Sequence, residues 1–169
     1  MYIIHGDSDT DLDPGELKQF FVSHLNRIYC AKSQLEEKLP IIADHAHERD
    51  LRLAIAQTID VVTVQIGRLE EIYARIGSIY TPESCLGLLG FLDEAFQSIG
   101  PPFDRPSLRD MSILFYMQNI ESVEMVSFEV MMRLSERLDD RKVTDLLHEC
   151  YLEARHDQAR FSSLTGRYL

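Results

Sequence analysis

Residues 13–40, DPGELKQFFVSHLNRIYCAKSQLEEKLP, decide the fold. Asp13 is an N-cap acid, Pro14 fills the first helical position and Glu16 follows three residues after the cap, so a helix starts here. Beyond it Phe21, Leu25, Ile28, Lys32, Leu35 and Leu39 step alternately by four and three, which places them on one helical face. That face is apolar except for one lysine.

The same spacing recurs along the chain. Ile55, Thr58, Val62, Gln65, Leu69, Ile72 and Ile76 form a second seam, and Met111, Leu114, Gln118, Glu121, Met125, Phe128 and Met132 a third. Val143, Leu147, Cys150, Ala154, Asp157, Phe161 and Leu164 form a fourth. Further start signals are Thr81-Pro82-Glu83, Ser107-Leu108-Arg109-Asp110 after the breaker run Gly100 to Pro106, and Asp139-Asp140. The pattern predicts helices over 14–44, with a kink at Pro40, and over 48–77, 82–98, 107–137 and 141–166. Four are long, and the short one rides on a crossover between Gly77 and Arg105. The expectation is an all-α four-helix bundle.

A chain of 169 residues suits one domain, here an acidic tail over 1–12 and a helical domain over 13–169. The 17 Lys and Arg against 28 Asp and Glu leave a net charge of −11, which repels a phosphate backbone, so nucleic acid is not an expected partner. No apolar run reaches the roughly 20 residues of a membrane span, and residues 1–11 lack the basic start and apolar core of a secretory signal. A cytoplasmic protein is expected. Cys30, Cys85 and Cys150 have neither disulfide-framework nor zinc spacing and read as buried, reduced thiols.

Each long seam carries a polar interruption: Lys32, Thr58 and Gln65, Gln118 and Glu121, and Asp157. Buried charges need partners, because desolvating one alone costs several kcal/mol. Inward carboxylates and histidines on facing helices are how four-helix bundles build di-iron or di-manganese centres. Glu121 and Glu124 stand one turn apart, as do Glu153 and His156, and with Asp157 these are the candidate metal ligands. The competing reading sends some of these side chains to a solvated edge.

The stretch from His24 to Pro40, together with Gln65-Ile66-Gly67-Arg68-Leu69-Glu70, Cys85 to Leu92 and Ile120-Glu121-Ser122-Val123-Glu124, resembles the YciE/YciF family of bacterial ferritin-like proteins associated with stress responses. The resemblance spans most of the chain. It implies a ferritin-like bundle and a dimetal ligand set, and this chain departs from that set. Where the family implies a first-helix glutamate the chain has Lys32, and where it implies a His and a Glu on the second helix the chain has Thr58 and Val61. Glu121 and Glu124 match, while His156 and Asp157 stand where the family has two acids. Lys32 is therefore expected to supply positive charge to Glu121, Glu124 and Asp157 in place of metal.

Other motifs fail on their residues. Asp7-Ser8-Asp9-Thr10-Asp11 starts like a calcium loop, but Leu12 takes the glycine position and Lys18 the closing glutamate position. His45 and His47 point to different faces of a helix end and read as surface histidines. No phosphate loop or nucleophile elbow is present, so hydrolase and transferase chemistry are unsupported. Two functions stay open. One is a binding or structural bundle acting as a homodimer, because Phe20, Ile41, Tyr73, Phe91, Phe96 and Phe115 lie outside the seams and need cover. The other is an iron- or manganese-dependent, oxidant-handling protein using the remaining ligands.

Overall fold

The computed structural model describes residues 12–97 and 105–169. It contains five helices, α1 (Pro14–His45), α2 (Arg49–Arg75), α3 (Leu86–Gln97), α4 (Pro106–Ser135) and α5 (Arg141–Thr165), and no strand among those residues. The acidic stretch 1–11 and breaker residues 98–104 lie outside the described residues.

α1 begins where the sequence places it. The Asp13 carboxylate accepts from the N–H groups of Gly15 and Glu16, and Glu16 reaches back to the Asp13 N–H, closing a capping box. The helix continues through Pro40 to His45. Gly77, at φ +63°, ends α2 in the left-handed conformation that glycine tolerates, and the Ser78 N–H bonds the Tyr73 carbonyl at 2.9 Å.

Two helix starts differ from expectation. Thr81-Pro82-Glu83 does not open α3, which begins at Leu86, because both polar side chains are engaged by α1. Asn26 donates to Thr81 Oγ1 and Glu83 Oε1 at 3.2 Å each, and Ser23 donates to Glu83 Oε2 at 2.7 Å. α4 starts with Arg105 as N-cap and Pro106 in the first turn, without Ser107 as its cap. Asp110, expected as a first-turn acid, is buried and accepts from the N–H groups of His47 and Glu48 and from Tyr168 Oη, at 2.7, 2.9 and 3.0 Å. It thereby ties the α1–α2 turn and the C-terminal end to α4.

The long helices pack in the cyclic order α1, α2, α5, α4, with α3 laid against α1 and α4. Two apolar clusters fill the interior. One joins Leu35, Leu39, Ile55, Ile113, Met117 and Phe161, and α3 adds Leu92 and Ala95 to it. The other joins Phe21, Leu25, Leu69, Ile72, Phe128 and Leu147. The memberships show that α1 and α5 run toward the first cluster while α2 and α4 run away from it. All seven residues of the fourth seam are buried. Tyr73 is buried, Phe91 and Phe96 are half-buried against the first cluster, and Phe20, Ile41 and Phe115 stay exposed.

Candidate functional site

Between the two apolar clusters each long helix contributes buried polar side chains: Lys32 from α1, Thr58 and Gln65 from α2, Glu121 and Glu124 from α4, and Asp157 from α5. Helical periodicity forces this. Each of these residues occupies a seam position or one beside it, flanked by apolar residues a turn away on either side, so the backbone holds it inside the bundle.

Lys32 lies at the centre of the layer. Only 1% of it is exposed, and its Nζ donates to Glu124 Oε2 at 2.5 Å. The same ammonium lies 5.6 Å from the centroid of the Phe128 ring. Asp157 is held from two sides: Thr58 Oγ1 donates to its Oδ2 at 2.7 Å, and Arg160, one turn along α5, bonds its Oδ1. Arg160 also reaches Gln57.

Glu121 completes the layer. Burial pushes its carboxyl well above the ordinary value, the charge of Glu124 adds to that shift, and Lys32 only partly opposes it. With Glu121 protonated, Lys32 and Arg160 face Glu124 and Asp157, two positive charges against two negative. The layer is then internally neutral, which is the condition under which charges persist in an apolar interior.

Glu153 and His156 do not join it. Glu153 is half-buried and is taken by α2, accepting from Arg68 Nη1 at 2.6 Å and from Gln65 Nε2 at 3.1 Å. His156 is exposed. The structure thus brings Glu121, Glu124 and Asp157 together around Lys32, and leaves Glu153 with Arg68 and His156 facing outward. Periodicity put these residues on helices without revealing that Arg68 and Arg160 claim two of the carboxylates. Arg160 was readable as the i+3 neighbour of Asp157, and Arg68 stands three residues after the seam member Gln65.

A dimetal ion pair does not fit this donor set. Among the described residues no group of three or more His, Cys, Asp and Glu is arranged to hold a metal ion. An ammonium group already bonds Glu124, and Asp157 is shared between a hydroxyl and a guanidinium. Like-charged Lys32 and Arg160 would repel an entering cation.

Cys85 and Cys150 are buried thiols, whereas Cys30 is half-buried. Burial pushes Cys85 up to about 12 and Cys150 up to about 11. No helix among the described residues is long and apolar enough to cross a membrane.

A family model described as "Domain of unknown function (DUF892)" matches residues 16–167. Protein YciF of Escherichia coli K12 is 23% identical over 149 residues, 88% of this chain and 89% of that protein. The crystal structure of the E. coli stress protein YciF superposes with a TM-score of 0.85 at 22% identity, over 90% of this chain and 96% of that one. YcfI of Rhodopseudomonas palustris, provisionally described as a structural protein, superposes at 0.82 with 20% identity, over 92% and 96% of the two chains. At such identities the structures establish the fold, a ferritin-like helical bundle with a crossover helix.

Proposed function

Since the chain belongs to the DUF892 family, we propose that it is a non-catalytic or weakly metal-binding ferritin-like bundle of the bacterial stress response, in which Lys32 supplies the charge a metal would bring. One observation carries this reading: the Lys32 ammonium is buried and hydrogen-bonded to Glu124 at 2.5 Å, at the level of the candidate ligands. The stress role follows the relative called a stress protein.

A bundle without redox chemistry acts through its surface, and the surface reading is a homodimer. Leu108 and Phe115 lie two turns apart on the first half of α4, both exposed, as are Phe20 and Ile41 on α1. Self-association through a C2 contact is the commonest cover for such apolar residues. Sedimentation velocity should show a dimer that Phe115→Glu shifts to monomer; a monomeric parent refutes this surface.

Metal content tests the reading as a whole. Protein loaded anaerobically with ferrous iron or manganese, then desalted, should retain well under one ion per chain by plasma mass spectrometry. Stoichiometric retention would favour the oxidant-handling alternative, with Glu121, Glu124, Glu153, His156 and Asp157 as the ligands to test.

A further inference from the structure

Ser23, Asn26, Arg27 and Cys30 occupy positions i, i+3, i+4 and i+7 of α1, so they form one stripe along that helix. The segment that joins α2 to α3 is laid on this stripe. Ser23 donates to Glu83 Oε2 at 2.7 Å, Asn26 donates to Thr81 Oγ1 and Glu83 Oε1 at 3.2 Å each, and Arg27 Nε pairs with Glu83 at 3.5 Å. Tyr80 packs on Tyr29 with the ring centroids 4.6 Å apart. Cys30 is the next member of the stripe after Arg27, and Cys85 stands two residues beyond Glu83.

The two thiols meet there. Cys30 and Cys85 interact directly, side chain to side chain, and Tyr80 contacts Cys30 as well. Cys30 is half-buried, and Cys85 lines a cavity of about 400 Å³ between α1 and α4, so a small oxidant can reach the pair. Thiols are weak hydrogen-bond partners, so their contact adds little to stability, whereas two sulfurs held together are set to bond once oxidised. Cys150 lies apart, fully buried in the second apolar cluster.

We infer that Cys30 and Cys85 are a modification site, a dithiol pair that hydrogen peroxide closes into a disulfide between α1 and the residue preceding α3. Burial chiefly, and then the neighbouring Cys30, raise the Cys85 thiol, which is therefore protonated and slow toward peroxide, so Cys30 reacts first. The Cys30 sulfur attacks one peroxide oxygen, the O–O bond breaks and the other oxygen leaves as water with the thiol proton, which makes Cys30 a sulfenic acid. The Cys85 sulfur then attacks the Cys30 sulfur, the S–O bond breaks, and the hydroxide leaves as a second water with the Cys85 proton. Peroxide is reduced by two electrons, and each thiol supplies one. Neither cysteine belongs to the charged layer, so the inference does not depend on Lys32 standing in for metal.

The test treats the reduced full chain with hydrogen peroxide in the presence of EDTA, blocks the remaining thiols with N-ethylmaleimide after denaturation, and reads intact and peptide masses without reductant. The expected product is a single chain lighter by two hydrogens before labelling, with a peptide linking Cys30 to Cys85 and the maleimide on Cys150 alone; dithiothreitol should reverse it. Cys85→Ser removes the resolving thiol, so dimedone should trap at least about 10-fold more Cys30 sulfenic acid than in the parent. Cys30→Ser should oxidise Cys85 at least about 10-fold more slowly than the parent does. A link through Cys150 or between two chains, oxidation of Cys30 to a sulfinic acid without the link, or a Cys30→Ser variant that loses its Cys85 thiol as fast as the parent would overturn the inference.

Discussion

Replacing Lys32 by methionine keeps a long, unbranched side chain and removes the ammonium. Glu124 then loses the donor 2.5 Å from its Oε2, in a site where Lys32 and Glu124 are 1% and 4% exposed. Removing one partner of a buried pair costs about 3–5 kcal/mol, because the other charge stays desolvated and unmatched. A domain of this size shifts by about 2–4 °C per kcal/mol, so the melting temperature should fall by about 6–20 °C. Adding Glu124→Leu removes the stranded carboxylate. Apolar replacement of both members of a buried pair is commonly neutral or stabilising by about 1–4 kcal/mol, so the double variant should recover most of the loss. Urea unfolding of the parent, both single variants and the double variant closes the cycle. A Lys32→Met cost below about 1 kcal/mol, as for an exposed pair, or a double variant no better than the single, would refute the buried-pair account.

Folded Glu121 keeps its proton above the pH at which the unfolded chain releases it, so its contribution is full in acid and declines as pH climbs from the ordinary 4.5 toward the raised value. Glu121→Gln should therefore match the parent near pH 4 and become relatively more stable as pH rises; parallel melting curves would contradict this. Asp110→Ala strands two backbone N–H groups and the Tyr168 hydroxyl, at about 1–3 kcal/mol for each buried unsatisfied group, and urea unfolding should show the loss. Asn26 holds Thr81, Glu83 and Tyr73 Oη, so Asn26→Leu should raise amide exchange of residues 78–86 with α2 and α5 unchanged. Uniform loss of protection would mean that the contact is not local.

The fold was legible because burial follows spacing. Lys32, Thr58, Gln65, Glu121 and Asp157 were seam members and are buried, whereas Met111, Gln118, Met125 and Met132 of the third seam are only half-buried, because α4 also turns Ile113, Met117, Ile120, Glu124 and Met131 inward. Helix ends were less legible, since cap-like residues can serve elsewhere: Thr81 and Glu83 bind Asn26, and Asp110 binds the α1–α2 turn. The candidate site was half legible. Periodicity assigns a residue to a face, and that set Lys32 opposite the seam member Glu121, with Glu124 one turn away from it. Partner choice depends on side-chain reach across the bundle, which spacing does not encode, so the capture of Glu153 by Arg68 and the outward position of His156 were not readable.

The central claim is that Lys32 stands in for metal charge, and metal uptake by Lys32→Glu tests it most directly. The variant replaces the central ammonium by a fourth carboxyl, beside Glu121, Glu124 and Asp157, and leaves Arg160 as the remaining cation of the layer. Helicity would be checked by circular dichroism with manganese present, and bound iron and manganese counted after anaerobic loading and desalting. The account predicts that the variant retains clearly more iron or manganese per chain than the parent. A folded variant that takes up no more metal than the parent contradicts it.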